Sequence, residues 1–299
     1  MFEYVCEYLK INDVEYKEFL SLKKFSAVRI GGIARIIAFP KKEDELVSLI
    51  CFLANIGCKY KVVGRMTNVL PPDEEYLGVI VKTDRIASTK FYGNLIFAEC
   101  GASLPQIAIN ASDNSISGFE ELSGIPGSVG GAVLGNAGAF GREISDLFIS
   151  MRCCYPSERI IADIKSDDIE FGYRWSDKKN EDCLVLSCVF KGTLGLREAI
   201  KSKIAFLKDK RIRSQPTGYP SLGSTFKRPK KDAFAGALID SCGLKGYTVG
   251  GAAISEKHAG FIVNKGNATA KDYLSVAEVA EKTVYSKFGI KLEREIEII

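Results

Sequence analysis

Histidine is almost missing from this 299-residue chain: His258 is the only one. The nine cysteines include no Cys-x-x-Cys pair and no Cys/His cluster, so no metal site is expected. An odd count, with Cys6, Cys51, Cys58, Cys100, Cys153, Cys154, Cys183, Cys188 and Cys242 mostly in apolar runs, reads as reduced core thiols. No two glycines stand two residues apart, which removes the G-x-G-x-x-G fingerprint, and G-x-x-x-x-G-K-[ST] is absent too. A nucleotide that binds here binds by another fold. No apolar run is long enough to span a bilayer, and the first ten residues have neither a basic nor an apolar leader region. The expectation is a cytoplasmic protein without membrane insertion. A net charge of +4 is too small to point to nucleic acid.

Glycine, by contrast, is concentrated. Seven of the 28 glycines fall between Gly124 and Gly141, interleaved with Ile125, Pro126, Val129, Val133 and Leu134. Fixing glycine costs more backbone entropy than fixing any other residue, so this density implies a close approach to the main chain. A loop with exposed N–H groups leading into a short helix suits a phosphate or a flat cofactor ring. A flexible linker is the alternative, but linkers lack such apolar residues. Basic residues gather at Lys201, Lys203, Lys208, Lys210, Arg211 and Arg213 and again at Lys227, Arg228, Lys230 and Lys231, as a solvated helix face or as contacts for a phosphate-bearing small molecule.

The periodicities predict an α+β (α/β) chain. Apolar positions repeat at helical spacing over 43–56 and stop at Gly57, between short valine- and isoleucine-rich strands at 34–39, 60–63 and 78–82. Ser103-Leu-Pro-Gln106 reads as a capping box opening a helix to about Asn114. Strands are expected near 94–99, 147–154, 159–163 and 183–191, then a helix from Leu196 to Arg213 ending before Pro216. Beyond it come a helix ending at Gly243, another from Thr269 to Lys287 capped against Asp272, and a strand from Lys291 to Ile298. A domain boundary is expected near residue 200, with a C-terminal α+β domain at 201–299.

Eight segments in order carry a resemblance. They are Phe-Ser-Ala-Val-Arg-Ile-Gly-Gly at 25–32, Gly-Ile-Pro-Gly-Ser-Val-Gly-Gly-Ala at 124–132 with Asn136-Ala-Gly138, Phe171-Gly-Tyr-Arg-Trp-Ser176, Pro220-Ser-Leu-Gly-Ser-Thr-Phe-Lys-Arg-Pro229, Ala235 to Gly246, Ser255-Glu-Lys-His-Ala-Gly-Phe-Ile-Val-Asn264, Ala268-Thr-Ala-Lys-Asp272 and Leu292-Glu-Arg-Glu-Ile296. Together they closely resemble the UDP-N-acetylenolpyruvoylglucosamine reductase family, and the short stretch between 174 and 224 resembles its shorter branch, type II. The resemblance implies a two-subdomain FAD-binding region of the PCMH/VAO-like type at 25–200, its parts about 25–72 and 73–200, preceded by an N-terminal extension at 1–24 and followed by a substrate-binding domain at 201–299, with FAD as cofactor and NADPH as co-substrate. It implies a small-molecule UDP-sugar as partner, and a monomer is expected.

By the same resemblance, the flavin is wrapped by Gly101, by Gly124, Ile125, Pro126, Gly127, Ser128, Gly130, Gly131 and Ala132 with Asn136 and Gly138, and by a loop of Gly64, Arg65, Met66, Thr67, Asn68 and Val69. That second loop departs from the family's Gly-x-Gly-Ser-Asn: Met66 stands where glycine is usual, and Arg65 is bulky. An arginine can offer paired donors to a pyrophosphate in place of a close amide contact.

Reducing an enol ether to a lactyl ether needs a hydride at one carbon, a proton at its neighbour, and stabilisation of enolate-like charge. The resemblance gives Ser224 as proton donor, Arg174 and Glu295 as the groups acting on the substrate carboxylate, and Tyr173, Lys227 and Arg228 as substrate contacts. On pattern alone Ser224 is a turn hydroxyl, Arg174 a surface ion pair, and Glu295 one of three carboxylates with Glu293 and Glu297 on a solvated strand face. His258 is given no proton-transfer role. The alternatives are a non-catalytic flavin or UDP-sugar binding protein on the same fold, which the altered loop motivates, and an oxidase passing electrons to oxygen.

Overall fold

In the helix Glu43–Asn55 the four fully buried residues Leu46, Leu49, Ile50 and Leu53 fall at the i, i+3, i+4, i+7 spacing of one helical face. Burying each such side chain stabilises the fold by about 1.5–3 kcal/mol relative to leaving it exposed. Three acidic residues in its first turn complement the helix dipole, and Tyr8 of the helix Phe2–Ile11 stacks on Phe52 with ring centroids 3.8 Å apart. The computed structural model describes residues 1–230 and 233–299, so Lys231 of the basic cluster lies outside the described residues.

Two compact units emerge, and neither is continuous in sequence. The first comprises Met1–Glu18, Ile36–Arg65 and Gly78–Asp209; the second comprises Phe19–Arg35, Met66–Leu77 and Lys210–Ile299. The chain crosses from the first unit to the second at 209–210, and 19–35 and 66–77 group with the C-terminal residues.

In the first unit, strand Tyr60–Val63 pairs in parallel with Val79–Lys82 of the strand Tyr76–Lys82, within a four-stranded sheet. Its larger sheet is antiparallel, in the order Ile160–Lys165, Phe148–Tyr155, Leu184–Lys191, Leu95–Glu99, Thr89–Tyr92. One core, including Leu49, Ile96, Phe119, Val129 and Phe190, runs through the unit. All nine cysteines are free thiols, as expected.

The second unit has a four-stranded sheet in the order Ser221–Ser224, Phe261–Asn264, Ala252–Ile254, Thr248–Val249. The helix Ala270–Phe288 buries Tyr273, Val276, Ala277, Ala280 and Val284 in this unit's own core. Its start is the expected capping box: Thr269 Oγ1 accepts from Asp272 N at 3.0 Å and Asp272 Oδ2 accepts from Thr269 N at 3.0 Å. Gly289, with φ +65°, ends it in the left-handed conformation.

Two local expectations are corrected. Ser103 does sit at the N-cap of the helix Leu104–Asp113, but no side-chain cap bond forms, and Gln106 Nε2 donates along the helix to Asn110 Oδ1 at 2.9 Å instead of back to Ser103. The C-terminal strand is also far shorter than 291–298. Only Glu297–Ile298 pairs as a strand, in parallel with Val69–Leu70, while Arg294 makes an isolated bridge to Phe226. Among the described residues no helix is long and apolar enough to cross a membrane, and no group of three His, Cys, Asp or Glu side chains is placed to hold a metal ion.

Candidate active site

In the first unit the two expected cofactor loops meet. A Cβ on Gly64, at the end of the strand Tyr60–Val63, would collide with the side chain of Ser128, so glycine is what lets these loops touch. Gly101 is equally constrained, with the Thr83 carbonyl where its Cβ would be. Ser128 precedes the short helix Val129–Leu134, whose first two amides are already engaged: Val129 N donates to Ala102 O at 3.0 Å and Gly130 N to Cys100 O at 2.8 Å. Gly131 is exposed, and a Cβ there would find nothing nearer than Ser128 Oγ at 3.9 Å.

Beneath this meeting point lies a buried cation that sequence reasoning did not single out. Lys82 is 3% exposed and its Nζ donates to the Gly64 carbonyl at 2.7 Å, with Asp84 Oδ1 at 3.4 Å. Burial lowers its pKa, and the Arg65 guanidinium lowers it further, while Asp84 works in the opposite direction. The only signal in the sequence was a lysine closing an otherwise apolar strand. A touching pair of loops, one open glycine face and the charges of Lys82 and Arg65 fit the pyrophosphate of a flavin dinucleotide.

Asn136 plays a local part. Its Nδ2 donates to Glu143 Oε2 at 2.8 Å and to Gly172 O at 2.9 Å, and its Oδ1 accepts from Ser145 N at 3.0 Å. It thereby holds the hairpin Phe171–Gly172/Trp175–Ser176, whose two-residue turn is Tyr173-Arg174. Arg174 takes φ +57° in that turn, its Nη2 donates to Gly138 O at 2.9 Å, and its guanidinium lies 5.1 Å from the centroid of Tyr173. Arg174 is thus half-buried against a flanking aromatic.

The second unit brings Ser224 and Glu295 together. Gly223, with φ +80° and open space around its Cβ position, is required for backbone conformation rather than for room. It lies in the register shift between Ser221, opposite Val263, and Ser224, opposite Phe261. The next residue binds the C-terminal segment: Glu295 N donates to Thr225 O at 2.8 Å, and Lys227 N donates to Glu293 O at 2.9 Å. Glu295 is half-buried, whereas Glu293 is exposed and paired with Lys227 Nζ. That pairing takes the Lys227 ammonium to Glu293, and the Arg228 guanidinium lies 4.6 Å from the centroid of Phe234.

Asn68 also belongs to this cluster. Its Nδ2 donates to Glu295 O at 3.0 Å, and its own carbonyl accepts from Glu297 N at 2.9 Å. Beside it Met66 is 2% exposed and takes φ +49°, so the residue standing in place of the usual glycine keeps a glycine-type conformation. His258 is held by structure: its Nδ1 accepts from Gly260 N at 3.1 Å, and burial lowers its pKa. In the basic helix, Lys201 and Lys203 pair with Asp113 and Glu121 at 2.9 and 2.7 Å.

Comparison with known proteins gives a single answer. Residues 34–162 match the FAD binding domain model, and residues 215–299 match that of the UDP-N-acetylenolpyruvoylglucosamine reductase C-terminal domain. A UDP-N-acetylenolpyruvoylglucosamine reductase of Caldicellulosiruptor bescii is 44% identical over 98% of this chain and 93% of its own. One from Clostridium perfringens is 39% identical over 91% of this chain and 88% of its own. The crystal structure of the Thermus caldophilus UDP-N-acetylenolpyruvylglucosamine reductase, 30% identical, superposes with a TM-score of 0.81 over 95% of this chain and 98% of that one. With near-complete coverage in sequence and in structure, the chain belongs to the UDP-N-acetylenolpyruvoylglucosamine reductase family.

Proposed function

We propose that Ser224, Glu295 and Arg174 carry the chemistry of this FAD-containing oxidoreductase. The enzyme reduces UDP-N-acetyl-3-O-(1-carboxyvinyl)-glucosamine to UDP-N-acetylmuramate with NADPH, in peptidoglycan precursor synthesis. The observation that supports the assignment is the bond from Glu295 N to Thr225 O, which joins the two segments, some seventy residues apart, that carry Ser224 and Glu295.

In this reading FAD, when bound, supplies to one vinyl carbon the hydride it received from NADPH. Ser224 Oγ–H gives the proton to the neighbouring carbon. A serine hydroxyl is a weak acid, so the transfer requires a strongly basic carbanion and exclusion of water. Glu295 and Arg174 polarise the substrate carboxylate, and the Arg174 guanidinium opposes the developing negative charge. A positioned proton donor contributes roughly 10²–10⁴ in rate.

The cofactor would be held by Gly64, Arg65, Met66, Thr67, Asn68 and Val69, by Gly101, and by Gly124 to Ala132 with Asn136 and Gly138. The substrate would be held by Tyr173 and by Lys227 and Arg228 near its diphosphate. The FAD-binding region is assigned to 25–200 and the substrate domain to 201–299, with 1–24 as an extension. The reading is of a cytoplasmic enzyme, acting as a monomer, where NADPH and UDP-sugars are supplied. Met66 keeps the glycine-type turn, so the altered loop no longer favours a protein that merely binds flavin.

The test is the visible spectrum of the purified protein together with NADPH consumption. A flavin spectrum, and consumption that depends on the UDP-enolpyruvyl sugar, is expected. A colourless protein that takes up no FAD would contradict the reading, and peroxide formation indifferent to the UDP-sugar would select an oxidase instead.

A further inference from the structure

Every polar atom of Thr225 is engaged. Its N–H donates to Gly260 O at 2.8 Å, and its carbonyl accepts from Glu295 N at 2.8 Å. Its hydroxyl oxygen accepts from Ile262 N at 3.3 Å and meets the Tyr273 hydroxyl at 2.9 Å, where either oxygen can donate. Both side chains are fully buried. Tyr273 sits in the first turn of the helix Ala270–Phe288, whose start is tied down twice: by the Thr269–Asp272 box, and by Asp73, which accepts from Ala270 N at 2.7 Å and from Lys271 N at 3.0 Å. On the other side, Asn68 Nδ2 holds the Glu295 carbonyl at 3.0 Å, so the Glu295 backbone is gripped at both its N–H and its C=O.

A buried Thr–Tyr hydroxyl pair is not needed for packing. Phenylalanine would fill the volume of Tyr273, and the Thr225 hydroxyl would still accept from Ile262 N. What the pair supplies is direction. Thr225 follows Ser224 and binds Glu295 through its own carbonyl, so whatever fixes its rotation fixes Ser224 Oγ and the Glu295 carboxyl relative to each other. We propose that Tyr273, acting through the Thr225 hydroxyl, is a positioning residue that sets the Ser224–Glu295 geometry for proton delivery to the substrate. The proposal rests on the reading of Ser224 as proton donor. Rates of such steps fall about 100-fold for a displacement near 1 Å, so a hinge one bond away has leverage.

The test uses the FAD-loaded enzyme and separates the two half-reactions by stopped-flow. Tyr273→Phe is expected to leave flavin reduction by NADPH unchanged and to slow reoxidation by the UDP-enolpyruvyl sugar about 5- to 30-fold, the equivalent of one buried hydrogen bond. Thr225→Ser, which keeps the hydroxyl, is expected to stay near the wild-type rate, while Thr225→Val, which also takes the acceptor from Ile262 N, slows at least as much as Tyr273→Phe does. This second pair carries the test if Tyr273→Phe folds poorly. In a Ser224→Ala background Tyr273→Phe should cost clearly less than its full factor, because one of the two groups it positions is gone; a merely structural tyrosine would add its full factor.

Wild-type reoxidation in Tyr273→Phe, equal slowing of both half-reactions, or a full additional loss in the double variant overturns the positioning role. If Ser224→Ala alone reoxidises at the wild-type rate, the assignment of Ser224 falls and the positioning claim falls with it.

Discussion

Replacing Met66 by glycine sets two effects of known sign against each other. Met66 holds φ +49°, a conformation that costs a residue with a Cβ about 1–2 kcal/mol. Glycine removes that strain, although it also loosens the unfolded chain by about 0.4–1 kcal/mol. Against the small net relief stands a side chain only 2% exposed, and truncating a buried methionine costs about 2–5 kcal/mol. Burial wins, so Met66→Gly is expected to be destabilised by roughly 1–4 kcal/mol. Met66→Ala loses the same side chain while keeping the strain, so it should lie below the glycine variant by up to about 1 kcal/mol. Thermal unfolding followed by circular dichroism reads the order directly, at about 2–4 °C per kcal/mol for a chain of this class. Wild type highest, glycine next and alanine lowest is the expected ranking. A glycine variant at or above wild type would show that strain outweighs burial, and would refute the account of why this loop does without the family's glycine.

Lys82→Met removes the cation whose Nζ holds the Gly64 carbonyl at 2.7 Å. The charge-assisted bond lost and the desolvation relieved oppose each other in stability, so the expected signature is FAD retention, about 10-fold weaker by fluorescence titration with little change in apoprotein Tm; unchanged affinity would count against Lys82 as a support of the flavin loop. His258 has a folded pKa below its unfolded value of about 6.5 because of burial. Its stabilising contribution is therefore complete above the unfolded pKa and is lost as pH falls through the folded one. Urea midpoints measured between pH 7 and pH 5 should decline less in His258→Phe than in wild type, and equal declines would contradict that assignment.

Elements with a local signature were legible in the sequence. The stripe of Leu46, Leu49, Ile50 and Leu53, the Thr269–Asp272 box and the glycine loop opening the helix Val129–Leu134 all depend on neighbours a few residues away. Long-range features were not. The strand expected over 291–298 shrinks to Glu297–Ile298 because its partner is Val69–Leu70, more than two hundred residues earlier, and no periodicity records that pairing. The same distance hid the grip of Asn68 on the Glu295 carbonyl, and the interleaving of 19–35 and 66–77 with the C-terminal residues.

At the candidate site, Ser224 and Glu295 were singled out only by family motif, since a serine after glycine and a glutamate among three look ordinary. Their common anchor, Thr225, carried no sequence signal. Lys82 was overlooked because a lysine at the end of an apolar strand reads as a solvated terminus, whereas here its ammonium is buried against a carbonyl. The pairing of Lys227 with Glu293 was likewise invisible until the segments 224–227 and 293–295 were seen to run together.

The most direct test of the central claim, that the Ser224 hydroxyl delivers the proton, is the Ser224→Ala holoenzyme followed through both half-reactions. Flavin reduction by NADPH at the wild-type rate, with reoxidation by the UDP-enolpyruvyl sugar slowed by roughly 10²–10⁴, is the predicted result. Reoxidation at the wild-type rate would contradict it.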